Sequence, residues 1–178
     1  MNNYFQGSEI HPRHVSVGAV LVNDGSTGSP QESGKICVHH FDSKNGSEFA
    51  GYWKDQGLDD FYILMRETVE MGETLERAVH RGLLEEFGAE AEIVDYLGSI
   101  QSHFKHKGSE VEIEKTTLYF LCKLKNQDLN KRSKGDVECE SVLEWHDPKF
   151  LITKMKAQGA KFNRQDLDES VILEKLNI

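Results

Sequence analysis

Basic residues are in short supply: 21 Lys and Arg stand against 30 Asp and Glu, a formal net charge of −9 over 178 residues. That balance disfavours an extended nucleic-acid footprint, which needs a basic surface, so no DNA partner is expected. It leaves room for a small phosphorylated ligand bridged to the protein by divalent cations. Cysteine is scarce as well. Cys37, Cys122 and Cys139 form neither an even set nor a CxxC pair, so they read as reduced thiols of a cytoplasmic protein rather than a disulfide framework or a zinc site. No apolar run approaches the ~18 residues of a membrane span. The first residues lack the basic start and apolar stretch of a secretory signal. Residues 4–7, Tyr-Phe-Gln-Gly, resemble a protease-site remnant, so 1–12 are set aside as a tail without structural weight. Residues 13–178 are read as one domain, long enough for a full core.

What is present is a set of β-branched runs around one acidic helix. Residues 14–22 read as a buried strand and 35–41 as its returning partner, joined by a Gly/Ser/Asn-rich turn. Residues 43–60 form a long polar stretch carrying Phe49, Tyr52 and Trp53, and long loops of this kind are more often functional than plain connectors. A short strand over 61–66 precedes a helix over 74–87, whose Leu75, Ala78, Val79, Leu83 and Phe87 recur at helical spacing. Gly88 stops it. Two long strands, 91–104 and 111–125, flank a basic turn. A strand over 137–145, a helix starting at Pro148 and a terminal amphipathic helix over 164–176 complete the chain. The irregular alternation favours a mixed sheet over a doubly wound parallel one.

The chemistry concentrates on the helix. At about 100° per residue, positions 82, 85 and 86 share a face, so Glu85 and Glu86 converge. Glu86 falls beside Ala78, Val79 and Leu83 and so points inward. A buried carboxylate needs a partner, because a bare buried charge costs several kcal/mol. A hard cation such as Mg²⁺ or Mn²⁺ would serve, and so would an arginine, of which Arg81 is the nearest. His39 and His40 are adjacent on a strand and point to opposite faces, so they read as surface and core histidines rather than a metal pair.

Residues 67–89 resemble the Nudix box, G-x5-E-x7-R-E-U-x-E-E-x-G-U with U aliphatic. Glu73, Arg81, Leu83, Glu85, Glu86, Gly88 and Ala89 match it, and Glu70 and Gly72 match its usual lead-in. The resemblance implies an α/β fold, the Nudix-type α/β/α sandwich with a central mixed sheet. It also implies Mg²⁺- or Mn²⁺-dependent hydrolysis of a phosphoanhydride bond in a nucleoside diphosphate derivative or dinucleoside polyphosphate. By the same resemblance Glu85 and Glu86 are metal ligands, and Arg81 orients the glutamates by pairing with Glu73. Glu70 in the lead-in and a late acidic residue, Glu138 or Glu140, are further metal candidates, although the late pair also reads as outward positions of an ordinary strand. Lys115-Thr116-Thr117-Leu118-Tyr119-Phe120 is similar to a K-T-x-x-Y-F strand of members acting on polyphosphates, which makes Lys115 and Tyr119 substrate candidates. Lys105, with His103, His106 and Lys107, offers a cationic rim, and Tyr52, Trp53 or Phe104 could stack a base. Many members dimerise, so a homodimer is admitted.

Two positions depart from the box. Glu67 stands in place of its first glycine, and Gly82 in place of the first glutamate of R-E-U-x-E-E. The second departure removes a carboxylate from the metal-facing side and puts a residue costing ~1 kcal/mol inside a helix. The alternative to an enzyme is therefore a catalytically silent Nudix domain that binds nucleotide, RNA or a protein.

Overall fold

The structure is a computed structural model that describes residues 3–26, 32–42, 57–105, 109–134, 138 and 141–176. Tyr52, Trp53, His106, Lys107, Cys139 and Glu140 lie outside the described residues. The described strands are β1 (Arg13–Val22), β2 (Ile36–Asp42), β3 (Asp60–Ile63), β4 (Met65–Thr68), β5 (Ala89–Lys105), β6 (Glu112–Gln127) and β7 (Val142–His146). They form one sheet in the order β3-β2-β1-β6-β5, with β4 also paired to β1 and β7 to β2. β1 runs parallel to β6 and antiparallel to β2 and β4, so the sheet is mixed, as expected.

Alternation along β1 sorts the chain into two layers. Val17, Ala19 and Leu21 pack with Met65, Ala78, Val79, Leu83 and Phe87 beneath helix α1 (Leu75–Phe87). On the other face Val20 packs with Leu64, Tyr119, Leu151 and Met155 beneath α2 (Pro148–Phe162) and the short α3 (Ser170–Leu173). α1 begins where the Thr74 side chain accepts a hydrogen bond from the Arg77 amide. It ends at Gly88, in the left-handed region at φ 60°. A Cβ at Gly88 would meet the Asp128 carbonyl oxygen at 2.2 Å, so both the turn and the close approach require glycine.

Four expectations are corrected. The strand expected over 61–66 is two strands, β3 and β4, separated by Leu64. The strand expected over 137–145 is β7 from Val142, with Glu138 and Ser141 outside it, while 137, 139 and 140 lie outside the described residues. The terminal helix expected over 164–176 is broken. Asn163 ends α2 in the left-handed region, a 3-10 turn spans Gln165–Leu167, and the Asp168 side chain accepts from the Ser170 amide to start α3. The periodicity of 164–176 is that of two short segments docking on one face. Finally, the N-terminal segment packs: Phe5 lies against the α1-side core, and its carbonyl accepts from the Val15 amide at 2.8 Å.

Candidate active site

Arg81 organises the approach from β4 to α1. Its Nε donates to Glu73 Oε1 at 3.1 Å, and its Nη2 donates to Glu73 Oε2 at 2.9 Å and to the Thr68 carbonyl at 2.8 Å. Its Nη1 lies 3.1 Å from Glu67 Oε1 and 3.5 Å from Glu85 Oε2. The pairing of Arg81 with Glu73 is the one expected, and the hydrogen bond from Arg81 holds the Glu73 carboxyl below the usual range. Glu73 Oε2 also accepts from the Glu70 amide at 3.0 Å. One guanidinium thus binds the end of β4, the lead-in turn and the last turns of the helix.

Glu86 points inward, as its position on the helix requires, and is 6% exposed. Its partner is His39 on β2, not Arg81. Glu86 Oε2 lies 2.7 Å from His39 Nε2, and His39 Nδ1 lies 2.6 Å from Ser141 Oγ. Counting donors fixes the proton on Nδ1. The Ser141 hydroxyl donates to the Glu138 carbonyl at 2.7 Å, so the Nδ1 position must donate to Ser141. A neutral His39 then accepts at Nε2, which requires a proton on Glu86. Burial favours this state from both sides. It pushes Glu86 well above the carboxylate range, reinforced by the charges of Glu138 and Glu67. It pushes His39 well below the usual imidazole value, reinforced by Arg132 and Arg66. Arg132, which belongs to no motif in the sequence, closes the frame: its Nε donates to the Glu86 carbonyl at 2.6 Å, and its Nη2 donates to the Glu138 carbonyl at 2.9 Å and to Ser141 Oγ at 3.2 Å.

The two departures from the box meet. Gly82 is buried in the α1 interface. A Cβ placed there would lie 2.7 Å from Glu67 Cβ and 2.7 Å from Met65 Sδ. Glu67 pairs in register with Val17 and so projects from the α1 face of the sheet. Its Oε1 accepts from the Thr68 amide at 2.7 Å, and burial raises its carboxyl against the pull of Arg81.

The other expected residues are spread more widely. Glu85 is 41% exposed at the side chain, so it borders solvent beside Arg81. Glu138 lies close enough for its charge to act on Glu86. Glu70 is exposed on the lead-in turn and contributes its backbone, donating to Glu73 and accepting from the Glu73 amide. Lys115 is partly buried on β6, where desolvation and the Arg66 guanidinium pull its ammonium down to about 8. Tyr119 is a core residue at 1% exposure, its hydroxyl donating to Glu169 at 2.5 Å, so it presents no open face to a substrate. Lys105 pairs with Glu110 at 3.9 Å on an exposed strand end.

The carboxylates at the last turn of α1 fit a hard divalent cation by donor type, all being oxygen ligands. Glu67, Glu85 and Glu86 come from one helix face and the strand beneath it. Their charges act on one another, Glu85 on Glu67 and Glu67 on Glu86. They are not converged on a point: Arg81 holds Glu67 and Glu85, His39 holds Glu86, and no three His, Cys, Asp or Glu side chains stand in ligating arrangement among the described residues.

A family profile described as NUDIX domain matches residues 12–166. The solved structure of a NUDIX hydrolase from Nitrosomonas europaea is similar in fold, with a TM-score of 0.52 at 15% identity, over 84% of this chain and 86% of that chain. No curated protein matches the sequence. The chain belongs to the NUDIX domain family, with the mixed sheet and flanking helices of the Nudix α/β/α sandwich. The family in general hydrolyses compounds linked through a nucleoside diphosphate and uses divalent metal ions. No helix among the described residues is long and apolar enough to cross a membrane.

Proposed function

We propose that this chain is a pyrophosphohydrolase that cleaves a phosphoanhydride bond in a nucleoside diphosphate derivative or a dinucleoside polyphosphate, with Mg²⁺ or Mn²⁺, in the cytoplasm. The observation that carries this reading is the gathering of Glu67, Glu85 and Glu86 around the Arg81 and His39 frame at the end of α1. A divalent cation bound there would offset the diphosphate charge and lower the pKa of an attacking water. Glu85 and Glu86 would hold it, with Glu70 and Glu138 as further candidates. Arg81 and Glu73 would keep the helix and the lead-in turn in register. His39 would take up the proton that Glu86 gives up when its carboxylate becomes a ligand. Lys115 and Lys105 are the proposed phosphate contacts.

A second reading rests on the same frame. Glu86 is spent on His39 and Arg81 is spent on Glu67 and Glu85, which is also how a silent Nudix domain that binds nucleotide, RNA or protein would be held. A panel of nucleotide sugars, dinucleoside polyphosphates and nucleoside triphosphates, assayed with Mg²⁺ or Mn²⁺ and with chelator, separates the two. The hydrolase reading expects turnover that chelator abolishes. Glu86→Gln should lower it about 10- to 100-fold or more, at least what loss of an outer-shell partner costs. Saturable binding with no turnover by the unsubstituted chain would establish the silent reading instead.

A further inference from the structure

We propose that Gly82 and Glu67 are one transposed substitution: the carboxylate missing from α1 at position 82 is supplied from β4 by Glu67. The inference rests on the metal-dependent reading above and deepens it by naming a ligand outside the helix.

Three observations converge. First, the two positions occupy one space. A Cβ on Gly82 would stand 2.7 Å from Glu67 Cβ, closer than two side-chain carbons can approach, so a glutamate at 82 and a side chain at 67 exclude one another on this backbone. The box pattern, with glycine on the strand and glutamate on the helix, and this chain, with the reverse, are the two ways of filling that space with one carboxylate.

Second, Glu67 points to the face that matters. Its register with Val17 puts it under α1, while its neighbour Arg66 turns to the opposite face, where it meets Glu169 and the Asp166 carbonyl.

Third, its carboxylate lies among the remaining box groups. Oε1 is 3.1 Å from Arg81 Nη1, and that same nitrogen is 3.5 Å from Glu85 Oε2. Oε1 is taken by Arg81 and the Thr68 amide, and the structure gives Oε2 no partner among the described residues.

The test is a Mn²⁺ titration of the full chain, followed by the EPR signal of free Mn²⁺, with thermal unfolding measured on each sample. The variants are Glu67→Gln, Gly82→Glu and the double swap Glu67→Gly with Gly82→Glu. Glu92→Gln, on an exposed stretch of β5, sets the baseline for general loss of negative charge. Glu67→Gln keeps the shape and should weaken Mn²⁺ about tenfold or more, at least the effect of losing an outer-shell partner, while Glu92→Gln should not. Gly82→Glu alone should lower the unfolding temperature. The double swap should recover both the unfolding temperature and Mn²⁺ affinity, a non-additivity expected of groups in contact. Unchanged Mn²⁺ affinity in Glu67→Gln, or no recovery in the double swap, overturns the transposition and leaves the metal-dependent reading intact. No Mn²⁺ binding by the unsubstituted chain overturns both together.

Discussion

The buried proton shared by Glu86 and His39 was only half legible from the sequence. Helical spacing showed that Glu86 faces inward and needs a partner. It could not show which, because His39 sits 47 residues earlier in the chain and is brought under α1 only by sheet pairing. The pair has a consequence for stability in metal-free buffer. Folded, it holds one proton across a wide range, because Glu86 titrates well above 4.5 and His39 well below 6.5. Unfolded, the two groups hold two protons below about 4.5, one between about 4.5 and 6.5, and none above. Stability rises with pH where the unfolded chain binds more protons and falls where it binds fewer. The contribution of this pair is therefore flat between about pH 4.5 and 6.5, lost on further acidification through His39, and lost on raising the pH through Glu86. Glu86→Gln removes the Glu86 loss over its whole range and leaves the gain in stability that the depressed His39 gives as the pH rises to about 6.5. Urea unfolding at pH 5.5, 7 and 8.5 should show a smaller decline for that variant than for the parent. An equal decline would mean that Glu86 is ionised in the folded chain at all three values.

At the scale of an element, α1 was the most legible part of the chain because independent signals agree on it. Its apolar period, its threonine cap and its terminal glycine each mark the same helix. Leu75 is the exception, 38% exposed although it falls on the periodic stripe. The segment 164–176 was less legible for the converse reason. Its period suits a helix, but the Asp168 side chain bonds the nearby Ser170 amide, and such local competition favours turns. Gly82 shows how packing can outrank propensity. An isolated helix would gain ~1 kcal/mol from alanine there. In this chain the added Cβ would stand 2.7 Å from Glu67 Cβ and from Met65 Sδ. Overpacking of this kind costs about 1–3 kcal/mol, so Gly82→Ala should be net destabilising by about 0–2 kcal/mol. Chemical denaturation would read this directly, and a variant more stable than the parent would show that β4 gives way easily.

Across the whole molecule β4 is the strand on which both layers depend. Glu67 faces α1 and the site, and Arg66 faces the layer of α2 and α3. That second layer is secured by Glu169, which is fully buried and ties together β4, β6 and the link between β3 and β4: it accepts from the Leu64 amide at 2.7 Å and the Tyr119 hydroxyl at 2.5 Å, and lies 3.8 Å from Arg66. The Nudix family match ends at residue 166, three positions short of it, and a lone glutamate in an acidic tail carries no sequence signal that it is buried. The contacts give it one. Removing Glu169 strands a buried amide, a buried hydroxyl and an enclosed guanidinium, and breaking a buried charge pair from one side costs about 3–5 kcal/mol. Against a total stability of about 5–15 kcal/mol, Glu169→Ala should shift the urea midpoint far more than the same change at an exposed residue of the last turn such as Glu174. Truncation after Asp166, which keeps the whole family match, should cost at least as much. A truncated chain that unfolds at the parent's midpoint would mean that Arg66 and Tyr119 find other partners, and that the family match alone makes a stable sandwich.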